Sequence, residues 1–346
     1  MGVGATVGVS MRPRICAYDR GVPKRVTIVD LAGELGLSKS LVANALHGYG
    51  RVSPETRERV VSAARRMGYT PNQQARNLRA LRSGSIGVLM PPGVRSFAFY
   101  MEFTFGVLDR AAERETDVVL LARSPEALGK RLDVDGAVVV DPVAGDKMVE
   151  TLVRAQVPLV SAGRVLGQED AASVVEIDHT RLVADILDRL RAQGIQRPAL
   201  ICADRTLDTA WSRDIRESYL SWTRRRDVAP LYRPVSPDVD TPTIAAAAAD
   251  LVDRGADALL TGPQGFAARL LPMLRQRGLS VPDFPLVSLV ADPQTELADP
   301  RLTAVDLAPR AFGWAVTDVL FATLDGEQPE RTVQHPWTLR WADPPA

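Results

Sequence analysis

The sequence predicts a small all-α region at the N-terminus, followed by a larger α/β region built as two Rossmann-like lobes. Three observations lead to this fold class. Residues 1–84 contain 14 Lys/Arg against 5 Asp/Glu, whereas the remaining residues contain 28 against 37. Apolar residues between Thr27 and Gly68 recur with the period of α-helices. Beyond Ser85, short apolar runs alternate with helical stretches, which indicates parallel sheets covered by helices.

The charge asymmetry indicates that the basic end of the chain meets a polyanion, with chance clustering as the alternative. The two cysteines, Cys16 and Cys202, lie far apart and lack metal-ligand spacing. We therefore expect no disulfide framework, no metal and no cofactor. No apolar run approaches the roughly 20 residues that cross a bilayer, and residues 1–25 lack the apolar block of a signal peptide. A cytoplasmic protein without a membrane partner is expected.

Residues 1–25 are interpreted as a flexible basic extension, in which Met11 offers an alternative start. A first helix follows, with Thr27 as its N-cap, Asp30 as the capping-box partner and Gly36 at its end. Ser38 begins a second helix, whose inward face is formed by Val42, Ala45 and Leu46. A third helix begins at Ser53-Pro54, ends at Gly68 and buries Val60, Ala64 and Met67.

The first two helices and their Gly36 turn have the proportions of a helix-turn-helix. The second helix exposes small or hydrogen-bonding side chains, where an ordinary surface helix favours Glu and Lys. These are Lys39, Ser40, Ala43, Asn44 and His47. A plain three-helix bundle is the alternative that spacing alone leaves open.

The segment VTIVDLAGELGLSKSLVANALHGYGRVSPETRERVVSAARRMGYTPNQQARNL resembles the headpiece and hinge of the lactose-repressor (LacI) family. The match includes a V-S-x-x-T-R-x-x-V block (Val52 to Val60) and a G-Y-x-P-N block (Gly68 to Asn72). The resemblance implies a DNA-binding helix-turn-helix headpiece over residues 26–70. It implies that Lys39, Ser40 and Asn44 read base edges, and that Ser38 and His47 contact phosphate. Thr27 is counted among the DNA-binding residues.

Chemistry supports this division, because Asn pairs with adenine through two hydrogen bonds and Lys donates to guanine. Two departures from the family pattern bear on the operator. Leu41 and Ala43 stand where many members carry Thr and Ser, and Asn44 stands where Arg is common. We expect fewer backbone hydrogen bonds and an operator that differs from the usual family sequence.

Residues 71–84 form the expected hinge. The stretch PNQQARNLRALRS is too short and too polar to hold a helix in water by itself. The resemblance implies that it becomes helical on DNA, with Asn72 at its start, Leu78 wedged into the minor groove and Ala75 beside it. Arg76 is expected to engage phosphate. A plain linker is the alternative.

Residues 85–346 are expected to form an effector-binding and dimerisation domain. Its strands are expected in IGVLM, VVLLA, GAVVV, PLVSAG, PALICA, ADALLT and PLVSLV. The stretches SIGVLMP, VVEIDHTRLVADILDRLRAQGI and LTAVDLAPRAFGWAVTDVL resemble the LacI and periplasmic-binding-protein-like effector fold. The resemblance implies crossings between the lobes near residues 177, 307 and 333, and a ligand cleft at the carboxyl ends of the strands.

The expected cleft departs from sugar-binding members of the family. Gly163, Ile215, Pro263-Gln264 and Ala291-Asp292 stand where those members place Asp, Arg, Asn-Asp and Asp-Asp. The candidate effector-binding residues that remain are Phe99, Tyr100, Asp141, Arg164, Trp211, Arg213, Gln264 and Asp292. They predict a small-molecule effector that is not a simple hexose, such as an anionic or aromatic compound. The alternative is that they are core and rim residues of a lobe interface.

Together these features predict a DNA-binding transcription regulator, a repressor that binds a palindromic operator as a homodimer. A ligand-independent DNA-binding protein with a degenerate cleft is the first alternative. A solute-binding protein is an alternative of another class, but it would explain only the two-lobed region. An enzyme is not expected, because the sequence shows no Gly-rich phosphate loop, nucleophile elbow or His-rich metal spacing.

Overall fold

The computed structural model describes residues 26–47, 52–69, 83–91, 97–122, 133–167 and 172–341. Contacts divide the chain into two compact units, residues 1–76 and 77–346. The expected extension, residues 1–25, and residues 71–82 of the expected hinge lie outside the described residues, as does residue 70 at the end of the expected headpiece.

The first unit contains three helices, α1 (Ile28–Leu35), α2 (Lys39–His47) and α3 (Pro54–Met67). Thr27 and Asp30 form the expected capping box, in which the Asp30 carboxylate accepts from the Thr27 backbone N at 2.8 Å. Gly36 ends α1 at φ +64°, a conformation that glycine adopts without steric cost. The predicted starts of all three helices and the predicted ends of α1 and α3 hold because their caps are local in sequence.

The headpiece core joins all three helices around Leu31, Val42 and Val60, which are fully buried. Ala45 and Ala64 are buried as expected, whereas Leu46 and Met67 pack at the edge of this core. Ala63 is an additional buried residue of α3, and its methyl side chain allows close helix packing.

The second unit contains two six-stranded sheets. The first consists of β1 (Ser85–Leu89), β2 (Asp117–Leu120), β3 (Gly136–Val140), β4 (Leu159–Ala162), β5 (Ser173–Glu176) and β11 (Thr332–Gln334), in the order β11-β5-β4-β3-β1-β2. All five strand pairs are parallel. This is the sheet of the first lobe.

The second sheet consists of β6 (Pro198–Ala203), β7 (Leu231–Val235), β8 (Ala258–Thr261), β9 (Leu286–Ser288), β10 (Thr303–Asp306) and β12 (Thr338–Arg340). The order is β12-β10-β9-β8-β6-β7. Its strands are parallel except that β12 runs antiparallel to β10. This is the sheet of the second lobe.

Eight helices complete the described part of this unit. They are α4 (Ala98–Glu113), α5 (Lys147–Arg154), α6 (His179–Ala192), α7 (Ala210–Arg225), α8 (Thr241–Asp253), α9 (Phe266–Gln276), α10 (Pro293–Ala298) and α11 (Pro309–Leu324). None of the helices described combines the length and apolar character that crossing a membrane requires.

The chain passes between the lobes three times, after β5, after β10 and after β11. The first two passages match the expected positions near residues 177 and 307. The third lies just beyond the expected residue 333, between Gln334 and Thr338. Because of these passages, α11 follows the second lobe in sequence but packs against α4 and the sheet of the first.

Two glycines allow α4 and α11 to cross at very short range. A Cβ atom at Gly106 would lie 1.9 Å from the backbone O of Arg310, and one at Gly313 would lie 2.0 Å from the backbone O of Phe103. Glycine inside a helix costs about 1 kcal/mol relative to alanine, so its presence at both positions indicates that backbone contact decides the residue type.

All seven predicted strands are present, as β1, β2, β3, β4, β6, β8 and β9. The sequence analysis did not list β5, β7, β10, β11 and β12. Strand β7 contains Pro234, which is tolerated there because this strand lies at the sheet edge. The other four have three or four residues each, too few to show a period.

Candidate functional site

Helix α2 presents one polar face. Successive residues of a helix are about 100° apart, so the positions expected to face outward, 39, 40, 43, 44 and 47, fall within about 140°. Of these, Lys39, Ser40 and Asn44 are exposed, and Ala43 is half-buried. The opposite side carries the buried Val42 and Ala45. The face is free of acidic side chains.

Ser38 and Thr27 are both held as helix caps. The Ser38 hydroxyl accepts a hydrogen bond from the Leu41 backbone N at 3.2 Å, at the start of α2. The Thr27 hydroxyl accepts from the Asp30 backbone N at 3.3 Å. Each hydroxyl therefore lies at a helix N-terminus, where backbone N–H groups favour an anion such as phosphate.

The remaining predicted DNA-binding residues are described less fully. His47 is the last residue of α2, and Asn72, Ala75, Arg76 and Leu78 lie outside the described residues. Within the described headpiece, five Lys/Arg face four Asp/Glu. Most of the basic excess of residues 1–84 therefore belongs to residues 1–25, Arg51 and the hinge, so the helices themselves are close to neutral.

A cavity enclosing about 690 Å³, part of it open to solvent, lies between the two sheets of the second unit. The carboxyl ends of β3, β4, β5, β8, β9 and β10 contribute to its wall, together with the N-terminal turns of α4 and α7. The lining residues are Phe97, Phe99, Tyr100, Asp141, Gly163, Arg164, Glu176, Ile177, His179, Ala210, Trp211, Asp214, Ile215, Gly262, Pro263, Gln264, Val290, Leu307 and Phe312. This is where ligands bind in open α/β folds.

Six of the eight predicted effector-binding residues line this cavity, namely Phe99, Tyr100, Asp141, Arg164, Trp211 and Gln264. Arg213 and Asp292 do not, which corrects the expectation that they reach it. Arg213 lies on another side of α7, where it pairs with Asp208 at 2.6 Å. Asp292 caps α10, and its carboxylate accepts from the Thr295 backbone N, the Thr295 hydroxyl and the Gly265 backbone N.

Asp141 is the most perturbed acid of the cavity. Burial raises its pKa to about 7, although a hydrogen bond from the Tyr100 hydroxyl, 2.9 Å away, opposes this shift. The pKa of Tyr100 is raised well above its ordinary value by burial and by the charge of Asp141. Near neutral pH this pair therefore holds a carboxyl group that is only partly ionised.

Arg164 joins the two lobes. Its guanidinium donates two hydrogen bonds to Asp214, at 2.6 and 2.8 Å, and one to Glu176 at 3.2 Å. Burial alone lowers the pKa of Arg164, but the two carboxylates more than reverse this effect. Burial raises the pKa of Asp214 even though Arg164 lowers it, so desolvation offsets part of the attraction.

Gln264 also links the lobes. Its side-chain oxygen accepts from the Phe99 backbone N at 3.0 Å, and its nitrogen donates to the Ala291 backbone O at 3.4 Å. Asp292 holds the adjacent Gly265, so it supports the Gln264 loop from behind. Asp292 therefore helps to position the Gln264 loop and does not itself line the cavity.

Three polar residues of the cavity wall were missed by the sequence analysis, namely Glu176, His179 and Asp214. Glu176 ends β5, which was not listed as a strand. Burial lowers the pKa of His179 to about 4, so this imidazole is neutral at pH 7. Asp214 would have been found by helical spacing from Ala210 and Trp211, since it lies on the same side of α7 as they do.

Family models match both the headpiece and the α/β region of the chain. The model for bacterial regulatory proteins of the lacI family matches residues 27–72, and the model for a periplasmic binding protein-like domain matches residues 187–341. The HTH-type transcriptional regulator CelR of Thermobifida fusca is 29% identical over 324 residues, which is 89% of this chain and 94% of that protein. The chain therefore combines a DNA-binding headpiece of the lacI family with a periplasmic binding protein-like domain.

Other relatives agree with this LacI assignment. The HTH-type transcriptional regulator AglR of Rhizobium meliloti is 36% identical over 185 residues, 51% of this chain and 52% of that protein. The chain thus spans about half the length of this relative, and nearly the whole length of CelR.

Two solved structures share the fold. A CelR–cellobiose complex superposes with a TM-score of 0.65 at 25% identity, covering 91% of this chain and 98% of that one. A lac repressor dimer bound to operator and the anti-inducer ONPF superposes with a TM-score of 0.78 at 20% identity and the same coverage, which is a likeness of fold. The predicted family, fold class and role as a DNA-binding transcription regulator are confirmed.

Proposed function

We propose that this LacI-family regulator binds a palindromic operator as a homodimer, and that a small molecule held between its two sheets changes the affinity for DNA. The cavity is the observation that carries this proposal. Its wall comes from both lobes, so a ligand there makes different contacts when the lobes move apart. Such differential contacts are what allow a ligand to shift an equilibrium between two arrangements. The cellobiose complex of CelR and the operator-bound lac repressor dimer are relatives in fold that support it.

The reading face of α2 gives the first prediction. Asn44→Ala and Lys39→Ala are expected to change the preferred bases and to cost about 1–3 kcal/mol each on the best site, because each side chain is exposed on the reading face. Arg76→Ala is the matched variant for a phosphate contact. It should weaken binding to all DNA sequences alike and make the DNA affinity less dependent on salt concentration. Selection of bound sequences from a random DNA library, followed by titration at two salt concentrations, measures both effects. An unchanged selected sequence for Asn44→Ala would contradict this assignment of the reading face.

A homodimer is supported by exposed apolar side chains on the first lobe. Met101, Phe105 and Leu108 recur at helical spacing on α4, and Leu120 is 60% exposed on the edge strand β2. Helix α4 packs against β2, so these side chains belong to one region of the surface. A contiguous apolar patch of this kind marks a protein–protein contact, and a second copy of the chain is the partner that a palindromic operator requires.

The second prediction concerns this patch. Leu120→Asp is expected to raise the dimer Kd at least tenfold, or about 1.4 kcal/mol, because it places a charge in an apolar contact. Val153→Asp is the matched control, since Val153 is an exposed apolar residue on α5, which packs with a different core of the first lobe. Sedimentation analysis measures the dimer Kd. If both variants stay dimeric at the wild-type Kd, the patch is not the interface.

A ligand-independent regulator is a second candidate, and one observation favours it. The lobes already contact each other directly through Arg164 and Asp214, Phe99 and Gln264, and a backbone hydrogen bond from Ala144 N to Asp208 O at 3.1 Å. These bonds join the two lobes across the cavity through groups of the chain itself. If Arg164→Ala and Asp214→Ala alter DNA affinity while no tested ligand does, this candidate is favoured.

A further inference from the structure

The cavity contains more negative than positive groups. Asp141, Glu176 and Asp214 line it as carboxyl groups, whereas Arg164 is its one permanent cation among the described residues. His179 is neutral at pH 7 because burial lowers its pKa to about 4. Arg164 is paired with Glu176 and Asp214, so these three groups leave one excess negative charge.

Asp141 is the carboxyl group without a cationic partner. In the part of the chain that the structure describes, its side chain accepts one hydrogen bond, from Tyr100 to Oδ2, and forms no ion pair. Its Oδ1 lies 2.9 Å from the position that a Cβ atom at Gly163 would occupy. Because residue 163 is glycine, no side chain at that position crowds this oxygen, and Asp141 lines the cavity.

The surroundings of Asp141 are aromatic. Tyr100 stacks with Phe97 at 6.4 Å between ring centroids and meets Phe99 edge-to-face at 5.2 Å. Trp211 lies on the opposite lobe, close enough to form a hydrogen bond with Tyr100. Aromatic faces attract cations, most strongly where water is excluded, and aromatic cages are a recurring site for ammonium groups.

The hydrogen-bonding groups of the wall are mostly acceptors. Nη1 and Nη2 of Arg164 donate to Glu176 and Asp214, and the Gln264 amide nitrogen donates to the Ala291 backbone O. The side chain of Ile215, which also lines the cavity, is apolar and offers no hydrogen-bond donor. A sugar hydroxyl both donates and accepts, so part of its bonding capacity would stay unmet here. An ammonium group donates only and matches this wall.

We propose that the ligand of this cavity is an organic cation, an amine carried on a flat apolar body, with Asp141 as counter-ion and Tyr100, Phe97 and Trp211 as the aromatic wall. This inference rests on the proposed function, because it names the class of molecule that the inter-lobe site takes. It replaces the expectation of an anionic effector, which the excess of carboxyl groups disfavours.

A charge series on one scaffold tests the proposal. 2-Phenylethylamine, 2-phenylethanol and phenylacetate have similar bodies and carry a positive charge, no charge and a negative charge. Calorimetric titration of the full chain at about pH 8, where Asp141 is largely ionised, should give an amine Kd at least tenfold below that of the alcohol. Phenylacetate should not bind at the same concentration.

Two variants identify the group responsible. Asp141→Asn keeps the shape and the hydrogen bond to Tyr100 but removes the charge, so it should weaken amine binding at least tenfold and leave the alcohol unchanged. Asp208→Asn is the matched control, because Asp208 is paired with Arg213 and does not line the cavity. The proposal is overturned if the amine does not bind at millimolar concentration, if Asp141→Asn binds it normally, or if the alcohol, phenylacetate or cellobiose binds as tightly.

DNA affinity, measured beside ligand binding, separates this proposal from the proposed function. If cellobiose binds and shifts DNA affinity while the amine does not bind, the site is an effector site and the cation proposal fails. If the amine binds through Asp141 but DNA affinity is unchanged, the cation proposal stands and ligand regulation fails.

Discussion

Gly313→Ala is expected to lower the free energy of unfolding of the α/β unit by about 1–3 kcal/mol or more, the cost of overpacking a close-packed interior. The added Cβ would lie 2.0 Å from the backbone O of Phe103, and a backbone atom cannot move aside as a side-chain end can. Helices α4 and α11 would have to separate, and the core that both share around Phe103 and Phe312 would loosen.

Gly106→Ala should act in the same way from the other helix, because its Cβ would meet the backbone O of Arg310. Gly33→Ala is the matched control. Gly33 also lies inside a helix but has no atom within 4 Å of its added Cβ, so this change should stabilise the headpiece by about 0.5–1 kcal/mol. Urea unfolding followed by circular dichroism measures all three. Wild-type stability of Gly313→Ala would show that the two helices can separate without cost.

Asp141→Asn is expected to stabilise the α/β unit above about pH 7 and to have little effect near pH 4. Burial raises the pKa of Asp141 from 3.8 to about 7, so the folded state binds a proton that the unfolded state has lost in this interval. Asp141 therefore lowers the stability of the wild-type protein as pH rises from about 4 to 7, by about 2–4 kcal/mol after allowance for the partial exposure of this residue. Asparagine has no charge to desolvate and avoids this loss.

Other titratable groups of the cavity also change the free energy of unfolding with pH, and Asp141→Asn leaves their contributions in place. Arg164 stays charged throughout this range. Burial lowers the pKa of His179 from 6.5 to about 4, so its unfolded form binds a proton that the folded form does not, and His179 adds stability as pH rises from about 4 to 6.5. Asp214 has a raised pKa as well and acts in the opposite direction to His179, and both contributions remain in Asp141→Asn. Asp208→Asn should not change the slope above pH 4, because Arg213 lowers the pKa of Asp208. Unfolding curves at pH 5, 6, 7 and 8 test this, and equal slopes for wild type and Asp141→Asn would refute it.

The headpiece was predictable from sequence because its determinants are local. Thr27, Ser38 and Ser53 cap helices within three residues of themselves, and Gly36 and Gly68 end helices by their own conformation. Periodicity then assigns each helix a buried side. Such short-range rules need no knowledge of how distant segments meet.

The location of the cavity was predictable from the sequence, but only some of its wall residues were. Residues after apolar runs were correctly expected to meet, since the carboxyl ends of parallel strands lie together. The pairing of Arg164 with Asp214 was not expected, because Asp214 lies 50 residues away on the other lobe. Asp292 was taken for a ligand-facing acid, although the Asp-Pro-x-Thr pattern of residues 292–295 is that of a helix start.

The three passages between the lobes also have a consequence for the newly made chain. Strand β5 gains its neighbour β11, and the first sheet gains helix α11, only after about 160 further residues have been translated. At about 5–20 residues per second this takes roughly 8–30 s. During that interval the surface that will receive Phe312 and Val316 is uncovered and prone to aggregation. The headpiece needs nothing beyond about residue 70 for its core, so on the ribosome it can fold long before the first lobe is complete.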